Sequence, residues 1–297
     1  MNDTAVLGRA ATRRRAILCV CGASILFVVA ATIVKLIAHD IPVFEMTLFR
    51  SGIACLVMLP LLARAGGWRA LRTRRPWGHV GRTLCGFIGM VTAYYGYTTL
   101  PLATVTALGF AMPLFLAVMA VPLLGERVGP ARAGAVAAGL AGVLIMLRPW
   151  AEFTGDKTAL PLGPVLVVLA GVAAWALAMI SIRRMGEQGE RNITIVMIFS
   201  LGASLLSAIL AIPVWVTPTP PVLAGLIAVG VVTSGAQLLM TEGYRAGETT
   251  LVAPFEYGAI VYTTALGMLI WGEVPDIWSL IGIAILVAAG IAVWRST

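Results

Sequence analysis

Charge is scarce in this chain. Asp, Glu, Lys and Arg make up only 11% of the 297 residues, against 60% apolar. A soluble domain carries roughly 25% charged residues, so this sequence cannot cover a water-facing surface. With a mean hydropathy of +0.96, it reads as an all-α integral membrane protein. Histidine is scarcer still. His39 and His79 are the only two, too few for a His-rich metal cage, and both fall at expected helix ends as interfacial polar residues. No carboxylate cluster has metal-ligand spacing, so no metal or other cofactor is expected. The four cysteines, Cys19, Cys21, Cys55 and Cys85, lie in apolar runs without zinc or redox spacing and read as small buried hydrophobes. Neither a nucleophile–base pair nor a soluble signalling segment is apparent, which argues against an intramembrane enzyme and against a receptor.

What is present is a series of long apolar runs. A spanning helix needs ~20 predominantly apolar residues. Ten such runs are found, at 16–38, 42–63, 79–98, 101–124, 130–148, 161–183, 193–215, 221–241, 248–271 and 276–294. Two charge-poor stretches hold two spans each. TTLP (98–101) divides the first and PVWVTPTPP (213–221) the second, as proline-rich joints do. The first run has no small-residue cleavage site and reads as a retained helix rather than a signal peptide.

The net charge of +8 follows a membrane pattern rather than a nucleic-acid one. With the N-terminus placed inside, the inner segments collect Arg9 to Arg15, Arg64 to Arg82, Arg127, Arg132, Arg183, Arg184, Arg191, Arg245 and Arg295. The outer loops keep only Arg148 and Lys157. Basic residues accumulate in inner loops, so both termini are expected in the cytoplasm. Lys35 and Arg50 lie within helices.

The two halves echo one another. At an offset of 147, Tyr97 falls on Tyr244, Val105 on Val252, Gly125 on Gly272 and Glu126 on Glu273; with one extra residue, Gly134 falls on Gly282 and Gly142 on Gly290. Each half, 1–150 and 151–297, holds five helices. Five is odd, so the second set enters the membrane from the opposite side and Glu126 and Glu273 lie on opposite faces. Two inverted five-helix repeats are a common architecture of secondary transporters, with the substrate near the midplane between them.

Three stretches carry a resemblance. PVFEMTLFRSGIACLVMLPLL (42–62), MPLFLAVMAVPLLGERVGPARAGAVAAGLAGVLIML (112–147) and LVAPFEYGAIVYTTALGMLIWGEVPDIWSLIGIAILVAAGIAV (251–293) resemble the second, the fourth and fifth, and the ninth and tenth helices of the drug/metabolite transporter superfamily, in its ten-helix EamA-type branch. Within it, the chain is similar to the YddG-type amino-acid exporters of bacterial inner membranes. The resemblance implies an exporter of small polar metabolites, amino acids first, with a drug or other metabolite as the alternative cargo. It also implies a structural role for Arg50, because that family arginine recurs across substrates. Pro254 is not opposite Pro113, so the halves need not bend alike.

The candidate site residues follow from depth and chemistry. Glu256 lies about 12 Å into helix nine and Arg50 in the middle third of helix two, at 1.5 Å per residue. Such charges must face protein or a water-filled cavity. Three readings are open: a mutual bridge, separate contacts with the ammonium and carboxylate of a zwitterion, or proton uptake by Glu256. Glu45 and Lys35 read as snorkelling interfacial charges. Trp175, Gln237 and Tyr94 are candidates to line a cavity, with Phe27 at a place in helix one comparable to that of Trp175. Tyr257 follows Glu256 at about 100° around the helix. Tyr97 and Tyr244 read as interface anchors. The stripes Gly134–Ala138–Gly142 and Gly282–Gly290 suggest close helix packing, at the periphery or at a dimer face, leaving monomer and homodimer both open. Pro113, Pro122 and Pro254 suggest kinks, static or mobile.

Overall fold

The structure is a computed structural model, and it describes residues 3–112, 114–115, 118–119, 130–148, 160–246 and 259–295. Ten α-helices are found among these residues: α1 (Asp3–Ile37), α2 (Val43–Arg64), α3 (Pro76–Thr99), α4 (Leu102–Gly109), α5 (Pro130–Leu147), α6 (Leu162–Glu187), α7 (Asn192–Ala211), α8 (Pro220–Ala246), α9 (Ala259–Trp271) and α10 (Ile277–Arg295). Short 3-10 segments occur at Gly67–Leu71 and Ile212–Val214. Five stretches are long and apolar enough to cross a bilayer by themselves, for example Leu18–Ile37 and Asn192–Val214.

Proline sets where several helices begin. Pro76 and Pro220 are the first residues of α3 and α8, and Pro42, Pro101 and Pro161 immediately precede α2, α4 and α6. Proline at a helix start forgoes an N–H that has no intrahelical partner anyway, and its φ is already suitable. Helix α4 stops at Gly109, where 3-10-type bonds from Phe110 to Ala107 and from Ala111 to Leu108 tighten the chain. The expected span 101–124 is therefore interrupted just ahead of Pro113, whose own placement lies outside the described residues, as do those of Pro122 and Pro254.

The principal packings reveal the two-fold design. Helix α1 packs on α8, and α3 on α6; α2 packs on α8, and α3 on α7; α1 packs on α9, and α4 on α6. Exchanging each helix for the one five places along turns the first member of each of these pairs of contacts into the second. The remaining main packings, α2 on α7, α4 on α9 and α5 on α10, map onto themselves. The chain is thus an all-α membrane protein of two inverted five-helix repeats. Large apolar side chains such as Leu56, Leu205 and Leu269 stay exposed on the outer faces, where lipid covers them.

Helices in lipid gain no hydrophobic energy by touching each other, so close approach at small residues decides which pairs form. At the α5–α10 contact a Cβ on Gly282 would meet the Gly142 carbonyl oxygen at 2.6 Å. The expected glycine stripe is only partly used: Gly142 is at the contact, but Gly134 has open space around it and Ala138 is exposed. Gly139 packs against Leu114 instead. The α3–α6 contact is similar, with Gly89 facing the Gly171 carbonyl oxygen and Trp175.

Polar ties fasten both ends of the bundle. At one end Lys35 Nζ donates to Glu273 Oε1 at 2.5 Å and to the Leu100 carbonyl at 2.8 Å, while Glu273 Oε2 accepts from the Leu102 N–H at 3.0 Å. Trp271 lies 5.2 Å from the ammonium. Gly272, at φ +67°, ends α9 in the left-handed conformation with its N–H on the Met268 carbonyl. A glycine adopts this conformation without the Cβ penalty, and it turns Glu273 back toward α1. At the same end Arg148 pairs with Asp276 at 2.6 Å, and Glu45 Oε1 accepts from the Val216 N–H at 2.6 Å. Glu45 is fully buried and Lys35 nearly so. The snorkelling expected of both is corrected: each side chain has a protein partner within reach, which replaces the interface. At the other end Glu190 accepts from Thr73 Oγ1 at 2.6 Å and faces His79 Nε2 at 3.7 Å. His79 is buried there, not interfacial.

Two predictions follow from these contacts. Gly282→Leu lowers stability by about 1–3 kcal/mol through overpacking, whereas Gly134→Leu is near neutral; unfolding temperatures in detergent check both. Lys35→Met or Glu273→Gln alone costs about 1–3 kcal/mol, between the values for exposed and buried pairs. The double variant loses less than the sum of the two single losses, which a double-mutant cycle measures.

Candidate functional site

Two arginines inside the helices lie at α3. Arg50, on α2, donates from Nη1 to Met90 Sδ on α3 at 2.9 Å. Arg82 stands on the same helix, two turns before Met90. It is the seventh residue of α3, about 9 Å along from the helix start. Its side chain lies against Gly86, which has no Cβ to obstruct it. Arg82 Cζ sits 4.0 Å from the Phe199 ring centroid on α7 and 5.9 Å from the Trp175 ring on α6. Cation–π contacts of this kind are worth ~0.5–2 kcal/mol. They leave donors without acceptors: Nε and Nη1 are buried and donate to no partner. Arg50 is near enough for its charge to act on Arg82.

Aromatic residues complete the surroundings. Tyr94 is buried with Met90, Phe87 and Phe199 in one core cluster. Its ring centroid is 6.4 Å from that of Tyr97 at a tilt of 52°. Tyr97 packs against two core clusters, which corrects its reading as an interface anchor. Trp175 is half-buried, its Cβ and ring close against Gly89. The glycines of α3 allow this crowding, because a Cβ at Gly86 would meet Phe199 at 2.9 Å and one at Gly96 would meet Val168 at 2.7 Å.

Of the residues expected from sequence, Arg50, Tyr94 and Trp175 are thus brought around the middle of α3. Gln237 is half-buried on α8. Glu256 and Tyr257 lie outside the described residues, as do Glu126 and the side chain of Tyr244, so the Arg50–Glu256 bridge is not described. Sequence reading missed Arg82, Phe199 and Met90. Arg82 was counted with the loop arginines although it falls inside the expected span 79–98. Its spacing of four and seven from Gly86 and Gly89 marks one helical face and was the available signal. Among the described residues no group of three or more His, Cys, Asp or Glu could hold a metal ion.

Known proteins give the family. The chain is 32% identical over 249 residues to a riboflavin transporter of Rhizobium johnstonii, covering 82% of this chain and 78% of that protein. It is 30% identical to an S-adenosylmethionine uptake transporter of Rickettsia prowazekii, covering 83% and 81%. It is 29% identical to a pseudopaline exporter of Pseudomonas aeruginosa, covering 92% and 94%. One crystal structure superposes with a TM-score of 0.61 over 96% of both chains at 20% identity, a likeness of fold. These names support a metabolite transporter; they do not support amino-acid specificity or the YddG-type assignment. The EamA-like transporter model matches twice, over residues 14–148 and 162–295, and the chain belongs to that family of multi-pass membrane transporters, not to an enzyme family.

Proposed function

We propose that this protein carries a small, ring-bearing polar metabolite across a bacterial inner membrane by alternating access, binding it among α2, α3, α6 and α7. The observation that supports this most is Arg82 set against Trp175 and Phe199 of the other repeat, with Arg50 at Met90 and Tyr94 farther along α3, at a depth where hydrocarbon would otherwise surround them. Charges at such depth are retained for a pathway or a substrate. Rings stack on rings and on guanidinium planes, and riboflavin and S-adenosylmethionine, the cargoes named for two relatives, each contain a fused ring system. The halves 1–150 and 151–297 move against one another, and both termini lie in the cytoplasm, as the arginine-rich loops favour. Lys35–Glu273 closes the outer mouth, and the His79–Glu190 cluster lies at the inner one. Glu256, Tyr257 and Gln237 contribute from α8 and the ninth span. Amino acids stay within the cargo class, and export is the net direction that the sequence resemblance favours.

The test is transport by the full chain in proteoliposomes, with radiolabelled riboflavin, S-adenosylmethionine and a mixture of amino acids offered separately. Saturable counterflow of at least one of them is the expected result. Trp175→Ala lowers its rate at least tenfold while the unfolding temperature changes little. Rates equal to those of empty vesicles for all three would overturn the reading.

A further inference from the structure

We infer that Arg82, assisted by Arg50, is a subsite for an anionic group on the cargo, a carboxylate or a phosphate, while Trp175 and Phe199 take the planar part of the same molecule. This deepens the carrier reading above and rests on it for the word cargo.

The argument begins with what Arg82 lacks. The residue is 8% exposed, and its buried Nε and Nη1 make no hydrogen bond. A guanidinium has five N–H donors and cannot shed its proton in a protein, so neutralisation does not relieve the burial. Buried charges are ordinarily paired or hydrogen-bonded: Lys35 holds Glu273, Arg148 holds Asp276, and Glu45 accepts from the Val216 N–H. Arg82 and Arg50 differ. Among the described residues neither has a carboxylate partner; Arg50 donates to a thioether, Met90 Sδ, which is a weak acceptor. Glu190, near the start of α3, is held by Thr73 and faces His79. Among the described residues, these two cations have aromatic and thioether neighbours but no acid, a local excess of positive charge inside the bundle.

Geometry says how an anion would be met. The guanidinium fork matches a carboxylate or phosphate with two parallel hydrogen bonds. Phe199 at 4.0 Å and Trp175 at 5.9 Å flank that fork. Gly86 leaves the side chain room to lie along α3. A ring joined to the anionic group by a short linker would then reach Trp175, which is half-buried and not sealed. Neutral molecules of the same shape would stack equally well but leave the donors unmet.

Matched pairs test this. The full chain is placed in phosphatidylcholine nanodiscs, which supply no anionic headgroup, and binding is followed by tryptophan fluorescence. Flavin mononucleotide is compared with riboflavin, adenosine monophosphate with adenosine, and benzoate with benzamide. At least one anionic member binds ten or more times more tightly than its neutral twin. The phosphate pairs and the carboxylate pair distinguish the two anion chemistries. Arg82→Gln brings the ratio within about twofold by weakening the anionic member far more than its neutral twin, and Arg82→Lys restores part of it. Equal binding of both members in every wild-type pair overturns the inference, and so does an equal loss for both in Arg82→Gln. The wild-type ratios decide even if that variant fails to fold, since they need no substitution. Nanodiscs containing phosphatidylglycerol form a second arm: an advantage for the anion that vanishes there assigns the subsite to lipid and overturns the cargo reading of it. Transport of neutral riboflavin without any anion preference leaves the carrier reading standing and removes this one. Arg82-dependent anion binding without transport does the reverse.

Discussion

In hydrocarbon no water is available to satisfy a peptide group, so each segment must satisfy its own. That constraint produces the helices of this chain; which helices then touch is settled by where backbones can come close. Gly89 against the Gly171 carbonyl and Gly142 against Gly282 are positions where any larger side chain would separate the rods. Dispersion falls steeply with distance, so these few small residues select the partners of α3, α5, α6 and α10. The site inherits its shape from them, because Arg82 lies over Gly86 and Trp175 against Gly89.

Charge is used sparingly, and each use can be distinguished. The Lys35–Glu273 and Arg148–Asp276 pairs join segments far apart in sequence. Glu190 draws the start of α7 toward α3 through Thr73 and His79, while Arg191 reaches the Ala65 carbonyl. Each tie joins unlike charges, or a charge and a dipole, at an end of the bundle. The arginines Arg50 of α2 and Arg82 of α3 lie deeper and are unlike them, having aromatic faces and a thioether where the others have oxygen.

The fold was legible in the sequence to within a few residues for many spans. The expected 42–63 is Val43–Arg64, and 193–215 covers Asn192–Ala211 with its 3-10 extension to Val214. Hydropathy reads span length well because bilayer thickness fixes it. What it cannot read is rotation about the helix axis. These helices are apolar on all sides, so no polar stripe tells which face meets a neighbour. For that reason the stripe was read through Gly134 although the α5–α10 contact uses only Gly142 of it, and Tyr97 was placed at an interface. Arg82 was overlooked for a related reason: counting basic residues by loop ignores how far into a helix one lies. Arg50, Tyr94 and Trp175 were found because each is conspicuous by type at its depth, a signal that needs no knowledge of rotation.

The exchange of neighbours between repeats has a bearing on biogenesis. Helix α1 is made well before its main companion, α8; α3 waits for α6, and α5 for α10. An early span therefore sits in the bilayer with its Gly22 or Gly89 face bare until a much later one arrives. Marginally apolar segments such as α3, which carries His79 and Arg82, are the ones for which such an interval is costliest, and chaperoning by the insertion machinery would matter most there.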